Sequence, residues 1–286
     1  VIRGDDHLTN AFRQYHVYKA LEWVVPKFAH IPLIHGADGA KMSKRHGALG
    51  VGAYELEGFL PKAVCNYLLR LGWGHGNNEQ ISINDAIKWF GLENIGKSPA
   101  RFDFSKLLSL NSYYLSNTSN AELIVLIKDK LEEKFGEKLS KDAENRVDNA
   151  MSELKKRSKT MLELVKNTLL YVKNRPVILG ESVDLFFGHD SLQHLHKLMI
   201  CLGKLENWTL DSLSLHVQEY LKANDLKLKD IGPSIRVALL GVSASQGIYD
   251  IMLILGQKET CERLNDCLNT FIGLRKISKS KLSPKK

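Results

Sequence analysis

No stretch of this 286-residue sequence approaches the roughly 20 consecutive apolar residues that a helical bilayer span requires, so no membrane partner is expected. Cysteine is sparse. Its four copies, Cys65, Cys201, Cys261 and Cys267, lie far apart or inside helical patterns, which argues for reduced packing thiols in a cytoplasmic protein and against a disulfide framework or a zinc site. There is neither an initiator methionine nor an apolar secretory leader, because Val1 is followed almost at once by Arg-Gly-Asp-Asp-His. The expectation is a sequence that starts partway through a longer protein. No internal repeat of fixed period is visible.

What is present is a soluble composition, 44% hydrophobic and 25% charged, long enough for two ordinary domains or several small ones in a row. The net charge of +8 favours an anionic partner, with nucleic acid foremost. Residues 1 to about 110 mix short apolar runs with glycines and read as α/β. His30 to Gly36 reads as a short buried strand, and Pro61 opens a helix with Val64, Tyr67, Leu68 and Leu71 on one face. Beyond about residue 115 the pattern is amphipathic helix. Ser119 and Glu122 have capping-box spacing before Leu123, Ile127 and Leu131. Later helical stripes are Leu162, Val165, Leu169 and Val172, then Leu192, Leu195, Met199, Leu202 and Leu205, then Cys261, Leu264, Leu268 and Phe271. Asn174 to Ser182 contains Pro and Gly and marks a joint between helical subdomains.

Between the first strand and helix lies Gly36-Ala-Asp-Gly-Ala-Lys-Met-Ser-Lys-Arg-His-Gly-Ala-Leu-Gly50. Lys41 and Lys44 flank Ser43 among glycines, a loop able to close on an anion, with ammonium groups that suit polyphosphate as compact point charges. It is not a Walker A loop, since Ala40 precedes Lys41 and Met42 follows it. In isolation such a run reads as a solvated basic loop.

The surroundings change that reading. Lys41-Met42-Ser43-Lys44-Arg45 resembles the Lys-Met-Ser-Lys-Ser signature of class I aminoacyl-tRNA synthetases. Val1 to Asn10, Phe28 to Ala48, Glu57 to Trp73, Pro233 to Gly241 and Leu255 to Leu264 resemble, in order, segments of bacterial glutamyl-tRNA synthetases. The resemblance runs to about residue 270. It implies the end of a class I nucleotide-binding domain over 1–40, the signature loop and a stem-contact region over 41–115, and an all-α anticodon-binding half. That half divides into 116–180 and 181–275 and is followed by a disordered basic tail over 276–286.

The family condenses glutamate with ATP to glutamyl-adenylate and passes the glutamyl group to tRNA. The resemblance therefore implies tRNA(Glu), glutamate and ATP as partners, Mg²⁺ arriving with ATP, no zinc, and a monomer. Lys41, Ser43 and Lys44 become the catalytic loop holding the ATP phosphates, with Lys44 the main stabiliser of the transition state. Arg3 matches the arginine that holds the glutamate carboxylate. Asp6 and His7 match positions near the ATP sugar and base, and Leu33 and Ile34 place backbone groups against adenine. Arg157, in Lys155 to Thr160, matches the anticodon-reading arginine at a break between helices. Arg236 and the segment Ser245-Gln246-Gly247-Ile248 match a second anticodon surface. The family often has Pro where Gln246 stands.

A second family signature, His-Ile-Gly-His or similar, is missing. A fragment of a longer enzyme is therefore expected, inactive in adenylation by itself. Two alternatives remain at this stage: a stand-alone tRNA-binding module, and glutaminyl-tRNA synthetase. The second is disfavoured because that family builds its anticodon region from β-barrels, whereas residues 116 to 275 read as helices.

Overall fold

The computed structural model describes residues 1–36, 38–42, 50–177, 186–243 and 245–281, with backbone only for His189 and 272–281. Ser43 and Lys44 lie outside the described residues. The chain divides into two compact units, one made of 1–122 with 153–165 and the other of 123–152 with 166–286. The sequence expectation divides the chain differently, into four segments and a basic tail.

The first unit is the α/β part. Strand β1 (Ile2–Gly4) pairs in parallel with β2 (Ala29–Ile31), register Arg3 to His30. A parallel pair needs a long crossover, supplied by helix α1 (Leu8–Ala20). Strand β3 (Ile34–His35) pairs in parallel with β4 (Ala100–Arg101). The buried strand expected over 30–36 is thus two short strands broken at Pro32-Leu33, and Ile31 and Ile34 remain 37% exposed. The reasons are local: proline offers no ladder donor, and each two-stranded ribbon leaves its faces open.

Helix α2 (Val51–Leu56) follows the basic loop, and α3 (Pro61–Arg70) starts with proline at its first turn. Val64, Tyr67 and Leu71 are buried with Tyr54, Phe59 and Leu107, while Leu68 faces out at 41% exposure. Helix α4 (Ile83–Trp89) is capped by the Ser82 hydroxyl, and α5 (Phe104–Asn117) by the Asp103 carboxylate. Asn66 and Tyr67 pair their polar groups inside this core. Asn66 Oδ1 accepts from the Ile81 N–H at 2.9 Å and the Tyr114 hydroxyl at 2.8 Å. The Tyr67 hydroxyl donates to the Asp103 carbonyl and accepts from its N–H.

After residue 116 every regular element among the described residues is a helix: α6 (Asn120–Phe135), α7 (Lys141–Arg157), α8 (Met161–Val172), α9 (His189–Gly203), α10 (Leu210–Ala223), α11 (Leu228–Leu240) and α12 (Ile248–Lys281). At the start of α6 the Ser119 hydroxyl accepts from the Glu122 N–H at 3.2 Å, and Leu123, Ile127 and Leu131 are buried as the spacing predicts. On α8 the buried face is rotated from the expected stripe: Met161, Leu164, Val165, Thr168, Tyr171 and Val172 are inside, and Leu162 and Leu169 only half so. Thr168 and Tyr171, polar by type, complete the face, and their inclusion turns it. Helix α11 ends on Gly241 at φ 76°, a left-handed cap that suits glycine. Helix α12 is bent at Gly256, whose φ of 78° lies outside the helical range, and its backbone continues as helix to Lys281.

Candidate functional site

The glycine-rich loop opens as a hairpin. The Gly39 N–H donates to the Gly36 carbonyl at 3.0 Å, the Gly36 N–H to the Ala40 carbonyl at 2.9 Å, and the Met42 N–H to the Ile34 carbonyl at 2.9 Å. Gly39 sits at φ 81°, the left-handed position that such a turn demands. The Asp38 carboxylate accepts from the Ala40 N–H and braces the turn. A bridge between His35 and Lys41 completes the reversal.

The reversal carries Lys41 back over the first strand pair. Its ammonium lies 2.6 Å from Asp6 Oδ2, and Asp6 sits in a single 3-10 turn, Asp5–His7, immediately after β1. The hydrogen bond from Lys41 and its positive charge hold the Asp6 carboxyl below the ordinary aspartate range, against a smaller opposing desolvation. His7 Nε2 stands 4.0 Å from the other Asp6 oxygen. Space is tight beneath: a Cβ on Gly4 would lie 2.6 Å from Asp6 Oδ1 and 3.1 Å from Leu33 Cδ2. Lys41, Asp6, His7 and Leu33 are therefore brought together. Ile34 is close in sequence, but its carbonyl already accepts from Met42.

Arg3 lies half-buried in the middle of β1. Its guanidinium carbon is 5.4 Å from the centre of the Phe28 ring, and its Nε donates to His30 at 3.4 Å. Its Nη2 is buried with no partner among the described residues. Such a donor costs about 1–3 kcal/mol when left unmet, and a planar fork of this kind suits a carboxylate.

Arg157 is the last residue of α7, in the break before α8 that the sequence predicts. It is exposed and makes no ion pair among the described residues. Its backbone surroundings are firmly held. Asn111, fully buried on α5, accepts from the Leu60 N–H at 2.8 Å and donates to the Lys159 carbonyl at 2.6 Å. The Lys155 ammonium donates to the Thr118 carbonyl at 2.8 Å, and the Ser158 hydroxyl caps back to Leu154.

The other expected anticodon residues belong to the second unit. Arg236 Nε donates to the Gln246 carbonyl at 3.0 Å, so these two expected residues do meet. Gln246 and Ile248 are 3% and 2% exposed. Their side chains face inward, and the Ser245 hydroxyl is likewise buried, with no partner among the described residues, while Arg236 is half-buried. The Tyr171 hydroxyl donates to Gln246 Oε1.

Sequence reasoning missed two residues here. Arg263 is 1% exposed and Tyr171 also 1%. The signal for Arg263 was present: it shares a helical face with Thr260, Leu264 and Cys267, and a charge on an apolar stripe needs partners.

Comparison with known proteins bears on what this arrangement serves. Residues 1–109 match the family model described as tRNA synthetases class I (E and Q), catalytic domain. Residues 122–268 match the model described as anticodon binding domain, which covers more than half of the chain. The chain is 47% identical over 269 residues to glutamate–tRNA ligase 2 of Paramagnetospirillum magneticum, covering 94% of this chain and 56% of that protein. The chain belongs to the glutamate–tRNA ligase family. Glutamate–tRNA ligase 2 of Zymomonas mobilis is 45% identical over 270 residues, again across 94% of this chain and 56% of that protein. The fold agrees with a crystal structure of a glutamate–tRNA ligase from Elizabethkingia meningosepticum in complex with its amino acid. That likeness has a TM-score of 0.80 at 23% identity and covers 94% of this chain and 57% of the other. The chain thus spans little more than half the length of these relatives. The expected order, a class I catalytic part followed by a helical anticodon-binding part, is the observed one, and the helical second half favours the glutamate family over the glutamine one.

Among the described residues, no helix is long and apolar enough to cross a membrane, and no group of three or more His, Cys, Asp or Glu side chains could hold a metal ion.

Proposed function

We propose that this chain is the part of a glutamate–tRNA ligase that brings the Lys41 to Lys44 loop to ATP-driven activation of glutamate and receives tRNA(Glu) on its helical half. The observation that carries the reading is the Lys41 to Asp6 contact. A hairpin of glycines places an exposed ammonium beside the turn that follows β1, where a triphosphate oxygen can replace the Asp6 carboxylate as its partner. Positive charge there favours the negative charge that builds on a departing pyrophosphate. Lys44 and Ser43, outside the described residues, share the phosphate-holding role in this reading. Mg²⁺ enters with ATP and shares in neutralising the phosphates.

Arg3 supports the amino-acid side of the reaction: its buried Nη2, without a partner among the described residues, gains an acceptor when the glutamate carboxylate binds. Asp6 and His7 line the same turn for the ATP sugar and base, and Leu33 and Ile34 the strand end for adenine. On the RNA side, Arg157 offers an exposed fork at a helix terminus, and Arg236 with the Ser245–Ile248 turn a second contact. We further propose that the chain alone does not form the adenylate, because the second ATP-holding signature is missing from its sequence.

Binding of a tRNA(Glu) transcript to this chain, measured by fluorescence anisotropy across a salt series, tests the reading. Affinity falls steeply with salt if the basic surface neutralises phosphates, and Arg157→Ala weakens binding about tenfold, one bidentate contact's worth. Affinity that ignores salt and Arg157 would remove the RNA half of the proposal. Glutamate-dependent ATP–pyrophosphate exchange by the chain alone, above a Lys41→Ala control, would show that the chain activates glutamate unaided.

A further inference from the structure

We propose that Tyr171 is a positioning residue for RNA recognition: acting through Gln246, it fixes the plane of the Arg236 guanidinium and so the choice among bases. The inference rests on Arg236 being an anticodon contact, as proposed above.

Tyr171 lies at the carboxyl end of α8, and its main chain is clamped. Its carbonyl accepts from Arg146 Nε at 2.8 Å and Arg263 Nη2 at 3.4 Å. The same Arg263 holds the Lys173 carbonyl at 3.1 Å and the Leu239 carbonyl of α11 at 2.7 Å. The phenol therefore projects from a fixed base. Its hydroxyl donates to Gln246 Oε1, whose own Nε2 is buried and has no partner among the described residues. Among the described residues the tyrosine bond is thus what anchors that amide, and Gln246 belongs to the turn before α12.

The Gln246 carbonyl in turn accepts from Arg236 Nε. Engaging Nε from the protein side sets the plane of the two terminal nitrogens, which have no hydrogen-bond partner among the described residues and can meet a ligand. Planarity is what makes an arginine discriminate: a bidentate pair forms only when both N–H groups are aligned with two acceptors, so loss of orientation costs selectivity before it costs attraction. A tyrosine that merely filled the core would behave differently. Removing its hydroxyl would then lower stability and weaken every RNA alike.

Four tRNA transcripts differing only in the third anticodon base, titrated against the whole chain by fluorescence anisotropy at fixed salt, separate these roles. The chain should prefer one transcript. Tyr171→Phe is expected to shrink that preference about fivefold, roughly one net hydrogen bond, with the affinity for the weakest transcript and the salt slope unchanged. Gln246→Met breaks the same link from the other side at similar volume and should reproduce the effect, which guards against a Tyr171→Phe chain that misfolds. Arg236→Ala should abolish the preference, and adding Tyr171→Phe to it should change nothing more. If Arg236→Ala abolishes the preference but Tyr171→Phe and Gln246→Met leave it intact, or weaken all four transcripts equally, the positioning role is wrong and the anticodon reading stands. If the chain binds all four equally, or Arg236→Ala changes nothing, both fall together.

Discussion

Replacing Arg263 with alanine should destabilise the second unit by about 4 kcal/mol, and the size follows from what the guanidinium holds. Its side chain is entirely buried. Nη1 donates to the Leu239 carbonyl at 2.7 Å and Leu170 at 3.3 Å, Nη2 to Lys173 at 3.1 Å and Tyr171 at 3.4 Å, and Nε to Glu259 at 2.7 Å. Burial pushes the guanidinium pKa down, and the hydrogen bond and charge of Glu259 oppose that shift. In the alanine variant Glu259 keeps Arg175, 3.7 Å away, and Tyr171 keeps Arg146, so neither is stranded. The Leu239 and Lys173 carbonyls lose the two shortest of the carbonyl contacts. A buried acceptor left unmet costs about 1–3 kcal/mol, giving about 2–6 kcal/mol for the two, in line with the 3–5 kcal/mol typical of breaking a buried charged pair. At about 3 °C per kcal/mol for a unit of this size, the melting midpoint should drop about 12 °C. Arg263→Lys keeps the charge but not the fork, and should lose about half as much. Urea unfolding by circular dichroism gives the energy, and hydrogen exchange of peptides from α8 and α11 locates it. An alanine variant within 1 kcal/mol of the parent at unchanged urea dependence would refute the reasoning.

Gly58 and Gly76 form a matched pair, since both have positive φ, 81° and 55°, but a Cβ on Gly58 would lie 2.7 Å from the Leu162 nitrogen while one on Gly76 meets nothing within 4 Å. Gly58→Ala should therefore cost more than 2 kcal/mol in thermal unfolding and Gly76→Ala about 1 kcal/mol, and equal costs would disprove the clash. The Asp6 carboxyl is lowered by Lys41, so whatever stability the pair contributes is present above the ordinary aspartate range and fades as pH falls through the lowered value. Carbon-detected NMR titration should show Asp6 moving upward in Lys41→Ala, and an unmoved titration would mean that the contact is not formed in solution. Burial pushes the Cys267 thiol up to about 12, whereas Cys65 and Cys201 are exposed. A disulfide reagent at neutral pH should modify Cys65 and Cys201 rapidly and Cys267 only after unfolding; rapid native labelling of Cys267 would contradict its burial.

Much was legible in the sequence because it depends on near neighbours. Pro61 at a helix start, Ser119 as a cap, Leu123, Ile127 and Leu131 on one face, and a break at Lys155 to Thr160 all follow from backbone geometry and periodicity over a few residues. The basic loop could be recognised for the same reason, its residues being contiguous. Only the tertiary structure decided which of these residues meet. Lys41 reaches Asp6 across 35 positions and Tyr171 reaches Gln246 across 75, and no local periodicity encodes a contact between segments so far apart. The burial of Arg263 was likewise settled by packing, because a guanidinium can leave water only where several helix ends bring their spare carbonyls to one point, and that convergence exists only in the folded chain.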